Sequence, residues 1–128
     1  MTSYTCVWTL RDSRTHLDAE QEESLKAWLN EVAGAYRWRI QAADIRPEYI
    51  NLEVEAPSAD SPSRVVEALM DATSNRMLEA YAGRLVARPG QGLWADGYYV
   101  VTPSRRLTER EIARFISYQR REQSAASA

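Results

Sequence analysis

The chain has 128 residues, with 16 Lys or Arg, 18 Asp or Glu and 1 His, for a formal charge of −2 at pH 7. A chain of this length suits one domain that buries roughly two-thirds of the surface its unfolded form exposes, and a hydrophobic content of 45% supplies the core, which excludes disorder throughout. One Cys and one His exclude an internal disulfide or a Cys/His metal cluster, and no apolar run approaches the roughly 20 residues that span a bilayer.

Met1 to Leu10 lacks the charged start and apolar block of a secretion signal. The expectation is a cytoplasmic protein with no membrane association, one domain over residues 1–122 and a flexible polar tail over 123–128. Tyr4 to Leu10, rich in β-branched and aromatic residues, predicts a strand with Cys6 as a small buried side chain, followed by a polar loop. Asp18 with Gln21 three residues on is a capping-box pattern, and Leu25, Trp28, Leu29, Val32 and Tyr36 form one stripe of the helix it opens. Arg37 to Ile45 and Tyr49 to Ala56 predict two strands paired as a hairpin across Arg46-Pro47-Glu48.

Ser61 followed by Pro62 marks the start of a second helix that runs to Gly83, with Val66, Leu69, Met70, Thr73, Met77 and Tyr81 on its apolar side. Residues 84–92 predict a linker and Leu93 to Thr102 a fourth strand. Thr108 with Glu111 forms a second capping box, which opens a third helix over about 108–122. The order β-α-β-β-α-β-α gives an α+β class: a ferredoxin-like βαββαβ antiparallel sheet with one additional C-terminal helix, the helices lying on one face. That architecture hosts enzymes, RNA readers and dimerisation modules alike, so it carries no function by itself.

Charge is unevenly spread. Residues 1–63 hold 6 basic and 11 acidic side chains, whereas residues 64–128 hold 10 basic, all Arg, and 7 acidic. Guanidinium forks suit phosphate oxygens and stack on bases, although the same residues suit ordinary surface ion pairs. Trp38 lies between Arg37 and Arg39, so an inward indole leaves two guanidiniums outward as a grip on a phosphate backbone.

The opening Tyr-x-x-Val-Trp-Thr strand and the segments RPEYINLEVEAP (46–57), SPSRVVEALMDATSNRM (61–77), LWADGYYVVT (93–102) and EIARFISYQ (111–119) together resemble the single-tyrosine HUH transposases of the insertion sequence 200/605 type. The resemblance covers nearly the whole chain in order. It implies a small ferredoxin-like homodimer that acts on single-stranded DNA next to hairpins. In that family a histidine pair on a strand and a glutamine on the last helix hold a divalent metal, and a tyrosine four residues before the glutamine attacks phosphorus.

Carried over by position, the histidine pair falls at Tyr49 and Asn51, the nucleophile at Phe115 and the glutamine at Gln119, so only Gln119 matches. The resemblance therefore implies a transposase-like protein that binds single-stranded or hairpin nucleic acid, DNA or RNA, without catalysis, cofactor or metal. Its candidate contacts are Arg37, Arg39, Arg76, Arg84, Arg88, Arg105 and Arg106. One alternative is an active metal-dependent strand transferase or nuclease with Tyr118 as nucleophile and Asn51, Glu53 and Gln119 as an oxygen site. Another is a dimerisation or protein-interaction module with no nucleic-acid role.

Overall fold

The computed structural model describes residues 1–85, 87 and 90–127, with side chains described through Gln123. Its elements are β1 (Thr2–Thr9), α1 (Ala19–Ala35), β2 (Arg39–Ile45), β3 (Tyr49–Ala56), α2 (Pro62–Ala80), β4 (Tyr99–Val101) and α3 (Glu109–Ser127). The strands form one antiparallel sheet in the order β2-β3-β1-β4, so β1 is flanked on both sides and β2 and β4 are edges. This is the expected α+β, ferredoxin-like arrangement with an additional C-terminal helix.

The two faces of the sheet follow from strand alternation. On one face Tyr4, Cys6 and Trp8 of β1 and Ile50, Leu52 and Val54 of β3 pack with Leu25, Leu29 and Ala33 of α1 and Val65, Val66, Leu69, Met70 and Met77 of α2. Each of the larger side chains contributes about 1.5–3 kcal/mol by leaving water. Val7 points the other way and joins Leu107 and Ile112, with Tyr49, Val101, Phe115 and Ile116 packed against them. The helices are therefore not on one face, as the element order suggested. α3 covers the face opposite α1 and α2, because β1 is buried at every position from Tyr4 to Thr9 and so needs cover on both sides.

Both capping boxes form. Asp18 Oδ1 accepts from Gln21 N at 2.8 Å while Gln21 Oε1 accepts from Asp18 N at 2.9 Å, and Thr108 Oγ1 accepts from Glu111 N while Glu111 Oε1 accepts from Thr108 N, both at 3.1 Å; at the start of α2, Ser61 Oγ caps alone, accepting from Arg64 N at 3.2 Å. α2 ends at Ala80 rather than Gly83. Tyr81 turns into the core beside Trp28 and its hydroxyl meets Ser24 Oγ at 2.6 Å, leaving Gly83 at φ +88° to make the turn that follows. α3 runs past residue 122 to Ser127, and Gln123 Nε2 donates to Arg11 O at 2.7 Å.

The fourth strand is much shorter than the span from Leu93 to Thr102. Leu93, Trp94 and Ala95 are buried and meet the end of β1 in a single antiparallel bridge at Leu10, where Ala95 N donates to Thr9 O and Arg11 N to Leu93 O, each at 2.9 Å, while α2 takes their other donors: Leu93 N donates to Ser74 Oγ at 2.8 Å, and Trp94 Nε1 donates to Met70 O at 3.1 Å and Thr73 Oγ1 at 3.2 Å. Trp94 also stands edge-on to Trp8, with centroids 5.9 Å apart. Only Tyr99–Val101 pairs with Val7 to Thr5 as regular strand. Among the described residues no helix is long and apolar enough to cross a membrane.

Candidate functional site

Beneath the first half of α3 lies an open groove of about 530 Å³. Its floor is the outward row of the sheet, with Thr5 of β1, Tyr49, Asn51 and Glu53 of β3 and Ala42 and Asp44 of β2, and its wall is Arg105, Arg106 and Leu107 followed by Ile112 and Ile116 of α3. The β3 residues share this face because they alternate with the core residues Ile50, Leu52 and Val54. A register shift between Ile40 and Ala42 brings Ala42 opposite Glu53 and Asp44 opposite Asn51.

The wall is pinned at its N-terminal end. Thr5 Oγ1 donates to Arg105 O at 2.8 Å and accepts from Arg105 N at 2.9 Å, fixing the segment before α3 to the central strand. Glu111 closes the capping box with Thr108 and receives the Arg105 fork at 2.6 and 2.9 Å. That guanidinium, then the Thr108 amide, hold the Glu111 carboxyl down at about 2. On the floor, Asp44 Oδ1 accepts from Arg46 Nε at 2.7 Å, and burial, then the Asp44 charge, push the Tyr49 phenol up.

Phe115 belongs to the apolar row of α3 and stacks on Tyr99, with centroids 6.1 Å apart. Gln119, one turn further on, is 7% exposed and lies against Gly97, where a Cβ would come within 2.6 Å of its Oε1. Only glycine at 97 leaves the amide this position. Tyr118 is 53% exposed, on the solvent side of α3.

A family model described as "Transposase IS200 like" matches residues 1–119. The chain belongs to the IS200-like transposase family. Its fold is similar to the crystal structure of a candidate transposase from Deinococcus radiodurans R1, with a TM-score of 0.73 and 24% identity over 91% of this chain and 86% of that one. It is also similar to a REP-associated tyrosine transposase solved bound to a REP hairpin, with a TM-score of 0.58 and 16% identity over 88% of this chain and 61% of that one. No curated protein matches the chain at a significant level.

Membership of the IS200-like family ties the chain to transposase-like work on nucleic acid. The positions that the resemblance assigns to the family's chemistry fall on the α3 face of the sheet. Tyr49 and Asn51 line the groove with Glu53, and Phe115 packs in the cluster that holds Tyr49. Gln119 is not among the groove residues, so the oxygen site of Asn51, Glu53 and Gln119 is divided between the groove and the Gly97 contact.

The arginines fall into two sets. Arg76 pairs with Glu31 at 3.1 Å and lies 4.8 Å from the centre of the Trp28 ring, Arg84 lies over Tyr81 near Glu20 and Asp18, and Arg105 is held by Glu111. Arg37, Arg39 and Arg106 are exposed and make no ion pair among the described residues. Arg88 lies outside the described residues. Three further arginines were missed by the sequence reading: Arg110, Arg114 and Arg121 form an exposed stripe on the back of α3 with Tyr118, also without ion pairs among the described residues. Their signal is helical spacing opposite the row of Ile112, Phe115, Ile116 and Gln119.

Proposed function

We propose that the chain binds single-stranded or hairpin nucleic acid and does not cut it. The observation that carries the second half of this reading is Phe115: the side chain at the nucleophile's position has no oxygen to attack phosphorus and is packed on Tyr99. The donor set points the same way. Tyr49 has a phenol that burial keeps protonated, Asn51 offers one neutral carbonyl, and the Gln119 amide is turned against Gly97, so these residues do not fit a hard divalent ion. Binding is supported by the exposed guanidiniums of Arg37, Arg39, Arg106, Arg110, Arg114 and Arg121, which make no ion pair among the described residues. Arg76, Arg84 and Arg105 add charge too, since exposed ion pairs of this kind exchange readily with phosphate.

A labelled DNA hairpin with a single-stranded flank, incubated with magnesium or manganese, tests both halves. The expected result is binding that weakens by orders of magnitude between about 50 and 200 mM salt, with no nick and no covalent protein–DNA adduct. An absence of binding at low salt overturns the binding half and leaves an interaction module. A metal-dependent adduct lost on Tyr118→Phe overturns the inactive half and makes Tyr118 the nucleophile.

A further inference from the structure

At the end of α1 the chain makes a tight turn in which Trp38 N donates to Ala33 O at 2.8 Å and Arg37 N donates to Gly34 O at 3.1 Å. These are the two bonds of the Schellman motif, and they place Arg37 at the left-handed position, φ +63°, which glycine ordinarily fills. An arginine held there costs stability that glycine would not. Nothing in the turn uses its side chain, which is exposed and makes no ion pair among the described residues.

The residues on either side of Arg37 form an aromatic stack. The Trp38 ring is 4% exposed and anchored by Nε1 to Asp60 Oδ2 at 2.9 Å, and the Tyr36 ring lies flat on it, with centroids 4.3 Å apart and planes 9° from parallel. Tyr36 is 48% exposed, so with one face against Trp38 its other face is open to solvent. Arg39 follows as the first residue of the edge strand β2, at most about 7 Å along the chain from Arg37. Carboxylates nearby are engaged elsewhere: Asp60 with Trp38 and Arg64, and Glu55, opposite Arg39, with Gln41 at 3.2 Å.

We infer that Tyr36, backed by Trp38 and flanked by Arg37 and Arg39, is a stacking platform for one unpaired base of a single-stranded nucleic acid, with the two guanidiniums on the adjoining phosphates. A rigid ring with one free face and two free cations within one residue of the stack is the combination that single-strand binders use, because every base has a π-face and every linkage a charge. A protein partner would need a wider apolar surface than this lone ring offers. The inference rests on the nucleic-acid reading above and gives it a place on the surface, on the other side of the chain's fold from any role for Phe115.

The test uses the full chain, a labelled mixed-sequence single-stranded DNA, the same sequence as a blunt duplex, and polyglutamate as an acidic competitor, followed by fluorescence anisotropy. Tyr36→Ala should weaken single-strand binding about tenfold or more while leaving duplex binding nearly unchanged, and Tyr36→Phe should bind as the parent does. Arg37→Gly should raise the melting temperature and yet weaken binding several-fold with a shallower salt dependence, opposite movements that a purely structural arginine cannot give. Should Tyr36→Ala prove unstable, Tyr36→Leu keeps the apolar contact with Trp38 without a base-stacking face and should show the same loss. Parent protein that binds neither DNA overturns the nucleic-acid reading as well. Parent protein that binds single strands while Tyr36→Ala and Tyr36→Leu bind equally well overturns the platform alone, as does polyglutamate displacing the strand in a manner equally dependent on Tyr36.

Discussion

Glu111 and Cys6 show how single side chains here are set by what touches them. The Glu111 carboxyl is held at about 2 against an ordinary value of 4.5, so its ion pair and cap stabilise the protein above pH 4.5 and are lost progressively as the pH falls toward 2. Thermal melts of the parent and Glu111→Gln should therefore differ most near neutrality and converge near pH 2. A gap that stays constant with pH would assign the effect to something other than the charge. Cys6 is fully buried and its thiol is pushed up to about 12 by that burial, so it should resist thiol reagents in the native state and react only at the rate of unfolding. At the site itself, Phe115→Tyr alone and Tyr49→His with Asn51→His alone should each give no nicking, since each leaves the other half of the chemistry missing. Only the three changes together, with Gln119 already present, have a route to a nick in a metal-supplemented assay.

Among the elements, α3 matters most to the second face of the sheet, because with Leu107 just before it this helix covers Val7, Tyr49 and Val101. Ile112→Ala should cost about 2–4 kcal/mol in a denaturant titration, in line with truncation of a buried branched side chain. Much of this architecture was legible in the sequence. β3 runs from Tyr49 to Ala56 as its alternation and the preceding Pro47 indicate, and both capping boxes open their helices. The side of the sheet taken by α3 was not legible, since an amphipathic row fits either face until β1 is known to be buried on both. Trp94 does bridge Leu10 as a strand residue would, but the run to Tyr99 is broken because Trp94 is also tied to Met70 and Thr73, more than 20 residues away, a contact that no local pattern announces. Tyr36 continued the spacing of α1 by one turn, and nothing local signals that an arginine will take the left-handed position after it. The site positions came from family resemblance rather than spacing, which is why the back of α3 went unread.

At the scale of the whole molecule, the sheet ends in two edges of unequal character. β2 carries Arg39, Gln41 and Asp44, which discourage strand addition, whereas β4 is three residues long and presents Tyr99 stacked on Phe115. We propose that the chain forms a symmetric homodimer that covers the β4 side. Light scattering at micromolar concentration should then give twice the 14.6 kDa of one chain, and Tyr99→Glu should return it to that mass. A parent mass of 14.6 kDa under those conditions would overturn the dimer.

The pinning of β1 by the C-terminal third of the chain has a consequence for how the protein is made. Thr5 is bonded to Arg105, and Arg120 Nη1 donates to Leu10 O at 2.7 Å across a separation of 110 residues. β1 is thus synthesised well before α3, and its second face stays wet until that helix is made. Contacts this far apart in sequence slow the search for the native state, and the nascent chain carries an uncovered row of Thr5, Val7 and Tyr49 until α3 emerges. A chain stalled before Thr108 should consequently remain protease-sensitive and chaperone-bound, and emergence of α3 should switch it to a resistant form in one cooperative step.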